Sequence, residues 1–145
     1  MHLPLYINME GRNAIVFGLG NVGHRRAEKL RDSGADVVGI NRRCVEIDGI
    51  NTLQRKLTPD STPPLDDYFL AVTATSDSEL NSLIARKARA ERVLVNQAGD
   101  PGEGDIIFPA VTETGGGKIS VTTLGDDPSL AKEAKELLEN EISKD

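Results

Sequence analysis

The sequence is poor in the residues that anchor metals, disulfides and membranes. It has 145 residues with one cysteine, two histidines, no tryptophan, two tyrosines and three phenylalanines. The lone Cys44 forms no internal disulfide and reads as a small buried side chain or a bystander. His2, His24 and one thiol are too few for a conventional zinc site, so no metal-ligand set is assigned. No apolar run approaches the roughly 18 residues needed to cross a bilayer, which excludes a helical membrane span. Positive charge is also scarce: Lys and Arg total 17 against 23 Asp and Glu, a formal charge of -6. That balance argues against a general binder of phosphate backbones, and nucleic acid is not expected as a partner. The opening MHLPLYINMEGR is too short and too lightly charged for a secretory leader, so a cytoplasmic setting is expected. With aromatics scarce, the core must rest on Leu, Ile, Val and Ala. The length allows one compact domain, or a nucleotide-binding-sized core with a short appendage, and makes a partner chain plausible.

What is present alternates between strands and helices. NAIVFG at 13 to 18 is a short apolar run entering glycines. The following NVGHRRAEKLRDSG suits an amphipathic helix, with Val22, Ala27 and Leu30 on its face and Gly34 at its end. ADVVGI at 35 to 40 has the length of a second strand. Between Cys44 and Pro64, Ile47, Ile50 and Leu53 allow either a helical turn or a short strand, and Thr58 to Pro64 reads as loop. The apolar Tyr68 to Thr75 predicts a buried strand. SDSELNSLIARKARA predicts a helix capped by Ser76 or Ser78, with Leu80, Leu83, Ile84 and Ala88 on one face. RVLVNQ at 92 to 97 predicts the next strand. The surest strands are 13 to 18, 36 to 40, 69 to 74 and 93 to 96, forming a largely parallel sheet with covering helices and right-handed crossovers. From Asp105 the pattern changes. IIFPAV and KISVTTL around TETGGG fit an antiparallel hairpin, and Pro128 starts a final helix carrying Leu130, Ala134, Leu137, Leu138 and Ile142. The fold class is therefore α/β: a Rossmann-like parallel sheet, with a short C-terminal hairpin and helix that want a neighbouring chain.

Gly18-Leu19-Gly20-Asn21-Val22-Gly23 is G-x-G-x-x-G between an apolar strand and a helix, the context in which it binds dinucleotides. Gly18 permits the tight turn, Gly20 lets a pyrophosphate approach the backbone, and Gly23 permits close packing of helix on strand. The helix start offers unpaired N–H groups to the anion. An acid about 20 residues further on normally holds the adenosine ribose of NAD. Here the second strand ends Asn41-Arg42-Arg43. Asn41 suits the ribose hydroxyls, whereas Arg42 or Arg43 suits a 2′-phosphate or simple solvation, so NAD and NADP both stay open at this point. Asp36 begins the strand and faces away from the ribose.

Ligands of open α/β sheets bind at the carboxyl ends of the strands, which directs attention to VTATSD at 72 to 77 and NQAGDPGEGD at 96 to 105. Asp100 in the second loop is either a turn-former before Pro101 or a proton acceptor or metal contact. His24, beside the glycine motif, reads as a partly exposed structural residue or a neighbour of bound phosphate. Asp126 or Asp127 would cap the last helix.

Read together, LPLYINMEGRNAIVFGLGNVGHRRAEKL, FLAVTATSDSELN, VLVNQAGDPGEGDIIFPAV and ISVTTLGDDPSLAKEAKELLE resemble the siroheme-synthase N-terminal family. It is also described as the precorrin-2 dehydrogenase and sirohydrochlorin ferrochelatase family. The shared features run in order from Leu3 to about Ile142: LPL before the first strand, T-x-D-x-x-L-N, N-x-x-D-P, and F-P-A followed by a hairpin and an S-L-A helix. The resemblance implies NAD-dependent oxidation of precorrin-2 to sirohydrochlorin by a homodimer, with insertion of ferrous iron or cobalt as a further activity in some members. A non-enzymatic subunit that binds NAD or the tetrapyrrole is a second alternative. It also implies a division into an NAD-binding domain at residues 1–107 and a dimerisation segment at 108–145. Gly18, Leu19, Gly20, Asn21, Val22 and Gly23 would form the pyrophosphate loop. Asn41 and Arg42 would meet the adenosine end, Thr73, Thr75 and Asp77 would line the cofactor side of the cleft, and Asp100 would be the general base. The carboxylate-rich tetrapyrrole would need local cations such as Arg25, Arg42, Arg43 or Lys118, although Arg25 and Arg26 are equally suited to a solvated helix face. Family members commonly continue into a further helical domain past the point where this sequence stops, which leads us to expect a more open substrate site.

Overall fold

The structure is a computed structural model that describes residues 1–142. It divides into two compact units, Leu3–Ile106 and a second formed from Ile107 onward with Met1–His2.

The first unit is a five-stranded parallel sheet in the order β3-β2-β1-β4-β5. Its strands are β1 (Asn13–Phe17), β2 (Asp36–Asn41), β3 (Asn51–Gln54), β4 (Leu70–Thr73) and β5 (Leu94–Gln97). Helix α1 (Asn21–Asp32) links β1 to β2, and helix α2 (Ser78–Ala90) links β4 to β5. β1 and β4 read as continuous apolar runs because both faces of the sheet are covered. Ile15 and Phe17 of β1 join Ala71, Val95 and the α2 residues Leu80, Ile84, Ala85 and Ala88 in one core cluster. Ala27 and Leu30 of α1 are buried as well. Each fully buried aliphatic or Phe side chain contributes about 1.5–3 kcal/mol of hydrophobic stabilisation, which is how a chain with so few aromatics holds a sheet.

Several expectations are sharpened or corrected. The ambiguous segment after Cys44 is an edge strand, β3, paired in parallel with β2 from Val38↔Asn51 to Asn41↔Gln54. Ile47 and Ile50 are buried just before it, whereas Leu53 is exposed. The loop at Thr58 to Pro64 holds one 3-10 turn, Pro59–Ser61, closed by the Thr58 N–H donating to Ser61 Oγ at 2.8 Å. Neither Ser76 nor Ser78 caps α2. Asp77 does, its Oδ1 accepting the Leu80 N–H at 3.0 Å, because Ser78 is already helical while Asp77 remains extended. Cys44 is exposed, not buried. Val22 is 39% exposed, so the buried stripe of α1 is Gly23, Ala27 and Leu30.

The second unit contains the antiparallel pair β6 (Ala110–Thr114) and β7 (Gly117–Val121) and helix α3 (Pro128–Ile142). Strand β6 begins after Pro109, which has no N–H to donate to a ladder. Pro128 opens α3, and Asp127 Oδ1 accepts the Leu130 N–H at 3.0 Å, so Asp127 rather than Asp126 is the cap. Ala131 is the buried residue of α3, while Leu130, Leu137 and Ile142 are exposed. Among the described residues no helix is long and apolar enough to cross a membrane.

Candidate functional site

The sheet order places β2 on one side of β1 and β4 on the other, so the chain reverses its direction of growth at β1. Ligands of open α/β sheets settle at that switch point. The loop leaving β1 is the glycine motif, and both neighbouring strands hold it. The Gly18 N–H donates to Ile40 O at 2.8 Å, and on the other side the Ala74 N–H donates to Phe17 O at 2.7 Å.

The three glycines have separate duties. Gly18 sits at φ +87°, and a Cβ there would lie 2.5 Å from the Ala74 carbonyl oxygen and 2.6 Å from the Thr75 nitrogen. A Cβ on Gly23 would lie 1.8 Å from the Gly18 carbonyl oxygen. Gly20 is different: nothing lies within 4 Å of its Cβ position, and its φ of -72° suits any residue. The motif's central glycine is therefore spared a side chain for the sake of what approaches from outside. Gly20 caps α1 without any side-chain bond, and the first turn of the helix contains no acid. The leading N–H groups of α1 have no carbonyl partner within the helix and carry the positive end of its dipole. Such a backbone cradle fits a pyrophosphate.

A cavity of ≈ 500 Å³ opens there, walled by the glycine turn, the β2 tip and the segment after β4. Of the expected cofactor residues, Gly18, Gly20, Asn21, Val22, Asn41, Arg42 and Thr75 line it, together with Arg55, Lys56 and Asp77. Three do not. Gly23 is buried behind the turn. Leu19 turns its side chain onto Gly39, where it fills the space a Cβ would need, and so packs the glycine turn against β2. Leu19 instead borders a second hollow of ≈ 550 Å³ outside the helix start, with His24 and Arg25. Thr73 is 0% exposed, which corrects its expected place on the cofactor side. Its backbone serves the sheet, accepting the Ala98 N–H at 2.9 Å. Asn41 is also engaged: its Oδ1 accepts the Leu19 N–H at 3.0 Å and its Nδ2 donates to Arg43 O at 3.0 Å.

The T-x-D-x-x-L-N segment has a structural explanation. Thr75 lines the cavity, Asp77 caps α2, and Leu80 enters the core. Asn81, absent from the expected site, is 4% exposed and locks the loop: its Oδ1 accepts the Thr75 N–H at 3.1 Å and the Thr75 hydroxyl at 2.6 Å, and its Nδ2 donates to Thr75 O at 2.9 Å. An amide on the apolar stripe of a helix, one residue after Leu80 and three before Ile84, was the signal available. Asn81→Ala leaves the part-buried Thr75 N–H without its acceptor. It is expected to cost about 1–3 kcal/mol in urea denaturation, and to weaken dinucleotide binding by loosening this wall.

The loop after β5 is organised by amides. Gln97 Oε1 accepts the N–H groups of Gly99 at 2.6 Å and Asp100 at 2.9 Å. Asn96 Nδ2 donates to Ile106 O at 2.7 Å, and Asn96 Oδ1 accepts from Arg26. Arg26 is therefore not a solvated helix residue. Burial, reinforced by neighbouring Arg25, lowers its pKa. Asp100 is exposed, and its Oδ1 accepts the Gly102 N–H at 2.9 Å to cap the 3-10 turn Pro101–Glu103. The turn-forming role is thus present. Asp100 is not in the wall of the ≈ 500 Å³ cavity but follows the adjacent strand end, on the same carboxyl edge of the sheet.

Glu103 accepts from the Ser82 hydroxyl and, at 3.3 Å, from Gln97 Nε2, which together hold its carboxyl below the usual 4.5. A carboxylate with a depressed folded pKa stabilises the fold above its unfolded pKa and ceases to do so as pH falls through the folded value. The urea midpoint of the wild type should therefore fall more steeply below about pH 4.5 than that of Glu103→Gln. Superimposable acid limbs would remove Glu103 from this account. Among the described residues, no group of three or more His, Cys, Asp and Glu side chains could hold a metal ion.

Comparisons with known proteins agree with this geometry. A family model described as "Putative NAD(P)-binding" matches residues 5–110. A siroheme synthase of Pseudomonas aeruginosa is 33% identical over 97% of this chain and 31% of its own length. A precorrin-2 dehydrogenase of Methanosarcina barkeri is 29% identical over 97% of this chain and 66% of its own length. The chain thus spans about a third of the siroheme synthases it matches. The solved structure of SirC, a precorrin-2 dehydrogenase, superimposes with a TM-score of 0.75 at 22% identity, covering 97% of this chain and 71% of SirC, and shows the same fold.

Proposed function

Because the chain belongs to the NAD(P)-binding family matched over residues 5–110, we propose that it uses NAD to oxidise precorrin-2 to sirohydrochlorin. The observation that carries the dinucleotide half is Gly20, open to the cavity where a pyrophosphate would meet the start of α1. The names of the relatives support the substrate half. When bound, the oxidised nicotinamide supplies the acceptor for a hydride. This chain's own residues do the rest. The glycine turn and the first N–H groups of α1 bind and orient the phosphates. Asn81 fixes Thr75 in the wall beside them. Asp100, with one oxygen committed to the Gly102 N–H, presents the other to take the proton released as the macrocycle gains a double bond. Hydride and proton together account for the two hydrogens removed.

The second unit serves as the dimerisation segment. Leu130, Leu137 and Ile142 leave one helix with apolar side chains facing solvent. A second copy of the chain would cover them. Leu130→Lys with Leu137→Glu should convert a dimer into a monomer in sedimentation velocity, and an unchanged sedimentation coefficient would reject this role for α3. A cytoplasmic setting suits a chain with one exposed thiol.

Anaerobic incubation of the folded protein with precorrin-2 and NAD is expected to produce the sirohydrochlorin absorption spectrum. Binding of NAD and precorrin-2 without that product would favour a non-enzymatic binding subunit instead. Formation of a metal complex from supplied sirohydrochlorin, independent of NAD, would favour chelation.

A further inference from the structure

We propose that Gln97 is the positioning residue for Asp100: its side-chain amide, braced from α2 through Glu103 and Ser82, sets where the general base stands at the carboxyl edge of the sheet. The inference rests on the reading of Asp100 as that base. Gln97 is the last residue of β5, paired in register with Thr73 of β4, and is 3% exposed. An amide so deeply buried is costly to desolvate unless it is bonded. The bonds of the Gln97 side chain go to the loop that follows it. Its Oε1 accepts the N–H groups of Gly99 at 2.6 Å and Asp100 at 2.9 Å, which fixes the orientation of the amide, and its Nε2 donates to Glu103 Oε2 at 3.3 Å. That same carboxylate oxygen accepts the Ser82 hydroxyl from α2.

The return of the loop to the sheet is fixed separately. The N–H groups of Asp105 and Ile106 both donate to Val95 O, at 2.7 and 3.1 Å, and Arg89 Nε donates to Asp105 Oδ1 at 3.0 Å. The turn itself is bonded internally: Asp100 Oδ1 accepts the Gly102 N–H at 2.9 Å, and Asp100 O accepts the Glu103 N–H at 3.1 Å. Such bonds shape the turn without anchoring it. On the outgoing limb, past Ala98, Gln97 supplies the anchor from a strand end, which is a more rigid support than a loop. Asp100 is thus held at its N–H by Gln97 and at one carboxylate oxygen by Gly102, which leaves the other oxygen at a defined place. A misplacement of about 1 Å in a reacting group can cost about 100-fold in rate, so this anchor bears on turnover as well as on folding.

The test exchanges the two partners. Gln97→Glu keeps an acceptor for Gly99 and Asp100 but turns the Nε2 donor into a carboxylate oxygen against Glu103, and the like charges push the side chain out of place. Combining it with Glu103→Gln swaps the two groups and restores a donor between them. With turnover read as NADH formed from precorrin-2 and NAD, kcat of Gln97→Glu is expected to fall about tenfold or more. NAD affinity should be unchanged, because Gln97 is outside the ≈ 500 Å³ cavity wall. The swapped double variant should recover kcat to near the wild-type value. Hydrogen exchange at the Gly99 and Asp100 amides should quicken in Gln97→Glu and slow again in the swap. Gln97→Met, which accepts neither N–H, is expected to show the same loss and serves if Gln97→Glu does not fold. Added to Asp100→Asn, Gln97→Glu should cost nothing further, since residues that act as a unit are not additive. Wild-type kcat in the folded Gln97 variants, a swap that restores nothing, or an undiminished cost in the Asp100→Asn background would overturn the role of Gln97 alone. No turnover by the wild type, or full turnover by Asp100→Asn, overturns the reading on which that role rests.

Discussion

Gly18→Ala is expected to unfold the protein more easily and to abolish dinucleotide binding, whereas Gly20→Val is expected chiefly to weaken binding, by about 100-fold or more. At Gly18 an added Cβ meets backbone atoms of Ala74 and Thr75 at 2.5–2.6 Å, and the φ of +87° is strained for any L side chain. Backbone on both sides leaves no flexible group to yield. Strain and overpacking of this kind together cost about 3 kcal/mol. Gly20 has neither difficulty, since its Cβ position is open and its φ is ordinary. Valine at this cap position should cost no more than about 1 kcal/mol. Its side chain would, however, occupy the space in front of the first N–H groups of α1, and NAD affinity should fall by about 100-fold or more, equivalent to about 2.7 kcal/mol. Urea denaturation and calorimetric titration on the same two variants check both parts. If Gly20→Val bound NAD as tightly as the wild type, the phosphates would not lie against this turn.

The second large effect is at Asp100. Asp100→Asn retains an Oδ1 that can accept the Gly102 N–H, so the 3-10 turn and the urea midpoint should survive. What it loses is the carboxylate's ability to take a proton. Turnover of precorrin-2 should drop by about 10²–10⁴-fold, the usual contribution of a positioned general base, while NAD affinity is unchanged because Asp100 is outside the cavity wall. Asp100→Ala should lose turnover equally and stability in addition. Full turnover in the folded Asp100→Asn protein would leave Asp100 with its turn-forming role only.

The parts of the molecule that were legible in the sequence are those in which one strong physical preference acts alone. The buried strands at β1, β4 and β5 appear as apolar runs, and the glycine motif announces the turn because residues with a Cβ do not fit at Gly18 or Gly23. Helix α3 is legible through Pro128 and the capping Asp127. Less legible were places where a side chain's role depends on a partner distant in the chain. Leu19, inside the motif, is claimed by Gly39 of the next strand. Asn41 is claimed by the Leu19 N–H, 22 residues earlier. Arg26 reaches Asn96 across 70 residues, and no local pattern separates it from Arg25 beside it. The edge strand β3 was ambiguous because only its approach residues Ile47 and Ile50 are buried, leaving Asn51–Gln54 without an apolar alternation of its own. Thr73 looked like a cleft residue by position, but it is the last residue of β4 and stays in the sheet, and the cleft begins at Ala74.

The central claim is that this chain couples dinucleotide reduction to oxidation of the macrocycle. The most direct measurement is a single anaerobic turnover with precorrin-2 and excess NAD, in which NADH and sirohydrochlorin are quantified from the same sample. The account predicts one NADH for each sirohydrochlorin, with both signals falling together in Gly20→Val. Sirohydrochlorin formed without NADH, or folded NAD-bound protein that forms neither, would contradict it.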